Sequence, residues 1–155
     1  MPALIASIAT AIGIMIAVGQ LRQAQKQRVR EFESLFLARY WELIDELPAK
    51  VALGFEGENE ATESDLKAFA QYLRLCEDEC EQRRLLWIST ATWQVWADGM
   101  RFELSNGSFA ALWRNHEHRF PTSFQHLRAL VEDKADPSSG RHPLWRWMRG
   151  LEGGL

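Results

Sequence analysis

The chain has 155 residues, with 18 Lys and Arg against 21 Asp and Glu, for a formal net charge of −3. This balance argues against a dedicated nucleic-acid binder, whose domain is usually basic as a whole. A chain this short buries one core but hardly two. Seven Trp and eight Phe predict that this core is rich in aromatic rings. No GxSxG elbow and no glycine-rich phosphate loop occurs, and no repeat of solenoid length is present. The sequence therefore reads as a protein that binds, not as an enzyme.

Residues 1–21 contain no charged side chain. At about 1.5 Å per residue a helix of this length covers roughly 30 Å, the hydrocarbon thickness of a bilayer. A cleaved secretory signal would need a basic start and a small-residue cleavage site, and both are missing. Ile5, Ile8, Ile12, Ile14, Ile16 and Val18 are spread around the helix, so packing one face on a soluble core would leave several of them wet. The expectation is a transmembrane helix over 1–21 in contact with membrane lipid. Ala9, Gly13 and Ala17 recur at four-residue spacing, which lets two such helices approach closely and points to a homo-oligomer or a membrane-protein partner. Arg22, Lys26, Arg28 and Arg30 form a membrane-proximal basic group. Positive flanks stay inside, which places residues 22–155 in the cytoplasm.

A stalk and first cytoplasmic helix is expected over 22–48. Val29, Phe32, Phe36, Tyr40, Leu43 and Leu47 step by three and four, and Pro48 stops the helix. A helical bundle is expected over 49–135. Glu56, Glu58, Glu60, Glu63 and Asp65 mark an acidic loop that lacks the ligand order of a calcium site. Leu66, Phe69, Leu73, Cys76 and Cys80 then place both thiols on the core face of a helix capped by Thr62 or Ser64, with Glu77-Asp78-Glu79 on its solvated side. Four-residue spacing on one helix gives no disulfide framework. His116 and His118 point to different sides of a helix and complete no recognised zinc set with the cysteines, so no metal and no cofactor are expected.

Ser89 or Thr92 starts a helix with Trp93, Trp96, Met100 and Leu104 on one side, and Asn106-Gly107 stops it. Ser108 caps a further helix with Phe109, Leu112, Trp113 and Phe120. Pro121 to Ser123 opens the next, with Phe124, Leu127, Leu130 and Val131. These patterns define an all-α fold: an N-terminal transmembrane helix continuing into a stalk, followed by a small helical bundle. A basic aromatic tail over 136–155 offers Trp145 and Trp147, interleaved with Arg, for an interfacial contact or for folding back on the bundle.

Through Trp93-x-x-Trp96-x-x-Gly99, Phe109-x-x-x-Trp113 and Phe120-Pro121, together with the Tyr72 to Glu79 stretch YLRLCEDE, the chain resembles a group of uncharacterised bacterial proteins. These carry one N-terminal membrane helix and a small helical cytoplasmic domain. The likeness covers most of the chain and implies architecture only, with no activity or site residues. With the uncharged stretch and its basic flank, it leads to an expected place in a bacterial inner membrane, single-pass, with the C-terminal domain in the cytoplasm. The expected function is a membrane-anchored helical binding module acting as an oligomeric scaffold or sensor subunit. The alternative is a ligand-gated membrane effector responding to a nucleotide or other anion, with Arg101 and Arg114 at the ligand rim.

Overall fold

The computed structural model describes residues 2–46, 62–107, 109–116 and 122–148. Every regular element among them is a helix: α1 (Pro2–Glu46), α2 (Glu63–Arg84), α3 (Thr90–Ser105), α4 (Ala110–His116), α5 (Gln125–Glu132) and α6 (Pro143–Met148). α2 packs on α1 and α5, and α3 packs on α4 and α5. The acidic positions Glu56, Glu58 and Glu60, the Ser108 cap, His118 and Phe120 lie outside the described residues.

The expected membrane span is corrected. Among the described residues no helix is long and apolar enough to cross a membrane. In the stretch followed by side chain, Ala6, Ala9, Ala11 and Ala17 add little transfer energy, Ser7, Thr10 and Gln20 oppose it, and Arg22 closes the window with a charge. The single-pass inner-membrane location inferred from that span falls with it. What the structure shows instead is one continuous α1 in two unlike halves. Every side chain over residues 6–21 is exposed, while Val29 and Phe36 are buried and Phe32, Tyr40 and Leu43 are half-buried against the body.

The bundle core joins Phe69, Leu73, Cys76 and Cys80 of α2 to Trp93 and Met100 of α3, Trp113 of α4 and Leu127 of α5. Both cysteines are buried and free, on the face the three-and-four spacing marked. Tyr72 stacks on Phe109 with ring centroids 4.7 Å apart. Thr62 caps α2 in a reciprocal box: its hydroxyl accepts from the Asp65 amide at 3.3 Å, and the Asp65 carboxylate accepts from the Thr62 amide at 2.8 Å. Asp65 thus belongs to the helix start and is fully buried, not part of a solvated loop.

α2 ends in a Schellman turn, in which the Leu86 and Trp87 amides donate to the carbonyls of Arg83 and Gln82. Leu86, at φ 64°, takes the left-handed place that glycine usually fills, and it is buried there. α5 lacks a cap of its own, because Phe124 precedes it at φ 56°. The Glu77 carboxylate of α2 accepts from the His126 and Leu127 amides, at 3.3 and 2.9 Å, and closes that helix from across the bundle.

At the end of α3, a Cβ on Gly107 would lie 2.6 Å from the Glu103 Cα, a backbone atom that cannot swing aside. Gly107→Ala should therefore lower stability by about 1–3 kcal/mol. An unchanged urea midpoint would contradict that close approach.

Candidate functional site

A cleft lies where the packed half of α1 meets α2 and α3, with a volume of about 270 Å³. α1 is held there by two ring contacts and one hydrogen bond. Phe32 meets Trp87 at 5.6 Å, Phe36 meets Trp96 at 6.2 Å, and the Glu33 carboxylate accepts from the Ser89 amide at 2.7 Å. The Ser89 hydroxyl caps α3 by accepting from the Thr92 amide, so the same turn fixes both the helix start and its distance from α1.

Leu37 and Tyr40 of α1 form one wall of the cleft, Tyr72, Leu75 and Glu79 of α2 the second, and Trp96, Met100 and Glu103 of α3 the third. Among the described residues no Lys, Arg or His lines it. Glu79 is only 6% exposed and makes no hydrogen bond or ion pair with any other described residue. Burial, with the charge of neighbouring Asp78 added, pushes its carboxyl up to about 8. Burial likewise pushes the Tyr72 phenol and the Cys76 thiol well up, and raises Tyr40. The site is a small apolar cleft with π faces and a carboxyl that lacks a protein partner. It holds no nucleophile–base pair, since the Cys76 thiol is neutral and no imidazole is beside it.

The residues singled out from sequence are not gathered at this cleft. Ala9, Gly13 and Ala17 lie on the exposed half of α1. Lys26, Arg28 and Arg30 are exposed farther along the same helix, and Arg22 is half-buried. Arg101 is ion-paired with Asp98 and lines a shallow groove with Lys134 and Asp136. Arg114 donates to the Ser105 carbonyl at 3.4 Å. No described cleft has both arginines in its wall. Trp145 is 57% exposed in α6 and does not cap the bundle, whereas the side chain of Trp147 lies outside the described residues. Among the described residues no three His, Cys, Asp or Glu side chains converge to hold a metal ion.

Glu79 was read from sequence as solvated surface, yet the pattern held a signal for it. It lies three residues beyond Cys76, and Arg83 lies three beyond Cys80, so both follow the spacing of the buried face. Comparison with protein-family models, curated proteins and solved structures finds no match, so the reading of this site rests on its own residues.

Proposed function

We propose that the protein is a helical binding module that acts as an oligomeric scaffold or sensor subunit, by association and not by catalysis. The observation that carries this reading is the exposed half of α1. Over residues 6–21 it has no charge and every side chain is exposed, with Ile8, Ile12, Ile14, Met15, Ile16, Val18 and Leu21 covering well over half of its circumference and Ala9, Gly13 and Ala17 on the remaining face. A helix with so broad an apolar surface needs cover over most of its circumference. The same halves of further copies provide it, with the Ala9, Gly13 and Ala17 face allowing close contact. A single partner helix would leave part of the surface wet, so the reading favours a bundle of several chains.

The alternative, an effector gated by a nucleotide or other anion, has less support. The cleft carries carboxyls and, among the described residues, no cation, and Arg101 is already neutralised by Asp98.

Gly13→Ile tests the favoured reading. Nothing lies within 4 Å of a Cβ at Gly13, and the backbone is regular helix, so the substitution leaves a single chain intact. Sedimentation equilibrium should show wild-type oligomers that dissociate at least tenfold more readily in the variant. A wild-type chain that sediments as a monomer would overturn the proposal. Flotation of such a monomer with phosphatidylcholine vesicles would assign the stretch to lipid instead.

A further inference from the structure

We propose that the cleft between α1, α2 and α3 binds a small organic ammonium ion with an apolar body, its nitrogen held at Glu79 and its hydrocarbon seated between Tyr40, Trp96 and Met100. The cleft lies on the packed half of α1, so this inference stands independently of chain association.

Three features of the walls select that chemistry. Glu79 is 6% exposed as a residue and lines the cavity, with no hydrogen-bond donor among the described residues and with its oxygens open to the cleft. A buried polar group in that condition is costly, and proteins keep such groups where a ligand completes them. Glu103 lines the same cleft from α3, and among the described residues no Lys, Arg or His lines it. The described lining offers an anion no cationic partner, whereas Glu79 can ionise to meet a cation. The remaining walls are apolar and aromatic, with two phenols and the Trp96 indole, whose negative ring faces favour an ammonium group. A bare metal ion is excluded on ligand number, since no three metal-ligating side chains converge among the described residues. At about 270 Å³ the cavity suits one ring or a short chain, not a nucleotide.

Binding and protonation are coupled. In the empty cleft below about pH 8 the Glu79 carboxyl keeps its proton, because burial and the negative groups near it disfavour the charge. The titratable groups around it are Tyr40 from α1, Tyr72, Cys76, Asp78 and Cys80 from α2, and Glu103 from α3. An arriving ammonium group replaces the proton, which leaves to solvent, and converts a neutral carboxyl into half of an enclosed ion pair. Affinity for an ammonium ion should accordingly rise with pH towards 8, as long as the ligand itself stays charged.

The test uses the full chain with benzylammonium as probe and benzyl alcohol as its uncharged counterpart, titrated by ligand-observed NMR and by tryptophan fluorescence, since Trp96 lines the cleft. Benzylammonium should bind saturably, with affinity rising from pH 6 to 8. Glu79→Gln should weaken it about ten- to a hundredfold, the range of a charge-assisted hydrogen bond, and should abolish the pH dependence. Arg101→Ala and Gly13→Ile, both away from the cleft, should bind as the wild type does. Equal binding of benzyl alcohol, an unchanged affinity in Glu79→Gln, or no binding of benzylammonium to a wild-type chain that circular dichroism shows to be folded would each overturn the proposal.

Discussion

Replacing Arg83 by Met should cost about 3 kcal/mol of stability, the lower part of the range for breaking a buried ion pair. Arg83 is completely buried, and its guanidinium ties the start of the next helix, residues 88–93, to the distant Asp136. It grips the Asp136 carboxylate through both ends of its fork, Nη2 at 2.8 Å and Nε at 3.2 Å. It also donates to the Ile88 carbonyl at 2.9 Å and to the Thr90 hydroxyl at 3.4 Å, and lies over the Trp93 ring at 5.9 Å. Met fills the volume but leaves Asp136 and the Ile88 carbonyl without their donor. The lower figure applies because the Asp136 side chain keeps 32% of its surface exposed. Lys in this place restores the charge but not the planar fork, so Arg83→Lys should recover only part of the loss. Urea titration of the three proteins measures this, and full recovery by Lys would show that charge alone matters.

The same pair sets an acid limit. Burial alone would raise the Asp136 carboxyl, but the Arg83 hydrogen bond and the Ser138 amide outweigh it and hold the group below its ordinary value. A depressed folded-state pKa gives stability that is present above the unfolded value near 4 and is lost as pH falls through the folded value. Wild-type stability should drop on acidification below about pH 4, and Arg83→Met should show a weaker drop.

The second large effect has the opposite sign and lies at higher pH. With its carboxyl raised to about 8, Glu79 holds a proton in the folded chain that it loses far earlier when unfolded. Between the unfolded value near 4.5 and about 8 the native state binds more protons, so stability falls as pH rises, by up to ~1.4 kcal/mol per pH unit. Above pH 8 both states are ionised and the loss is complete. Glu79→Gln is similar in shape and does not titrate, so its stability should be level across that window. Urea midpoints at pH 5, 7 and 9 decide the matter. Parallel profiles in the two proteins would show that another group carries the proton. Together with Asp136, Glu79 places the stability maximum on the acid side of neutrality, although the chain's net charge of −3 gives no hint of it.

Helical periodicity made much of the body legible. The steps of three and four in α2 put Cys76 and Cys80 inward, and Trp93, Met100 and Leu104 share a buried side of α3 as their spacing requires. Local chemistry fixed the ends: of the two candidates at each start, Thr62 rather than Ser64 caps α2 and Ser89 rather than Thr92 caps α3, and Asn106-Gly107 terminates α3. In each case the interacting atoms are within four or five residues of one another, so the sequence carries the whole interaction.

The candidate site was not legible in that way. Its cleft exists because Phe32, Glu33 and Phe36 hold α1 against residues more than fifty positions away, and no local pattern encodes that distance. Charged residues were assigned to solvent by the general cost of burying them, a rule that Glu79 and Arg83 break for different reasons. Arg83 is repaid by Asp136 and the carbonyl of Ile88, while Glu79 remains without a protein partner. Glu77, between a half-exposed helix face and the start of α5, supplies a cap that α5 lacks in its own sequence. The uncharged opening of α1 reads by composition as a membrane span, but among the described residues no helix is long and apolar enough to cross a membrane. Sequence by itself determined which segments coil and which of their faces turn inward, because both depend on neighbours along one helix. Tertiary structure alone decided which charges are enclosed, which are paired and where a cavity opens, because desolvation depends on every element packed around a group and not on the element that bears it.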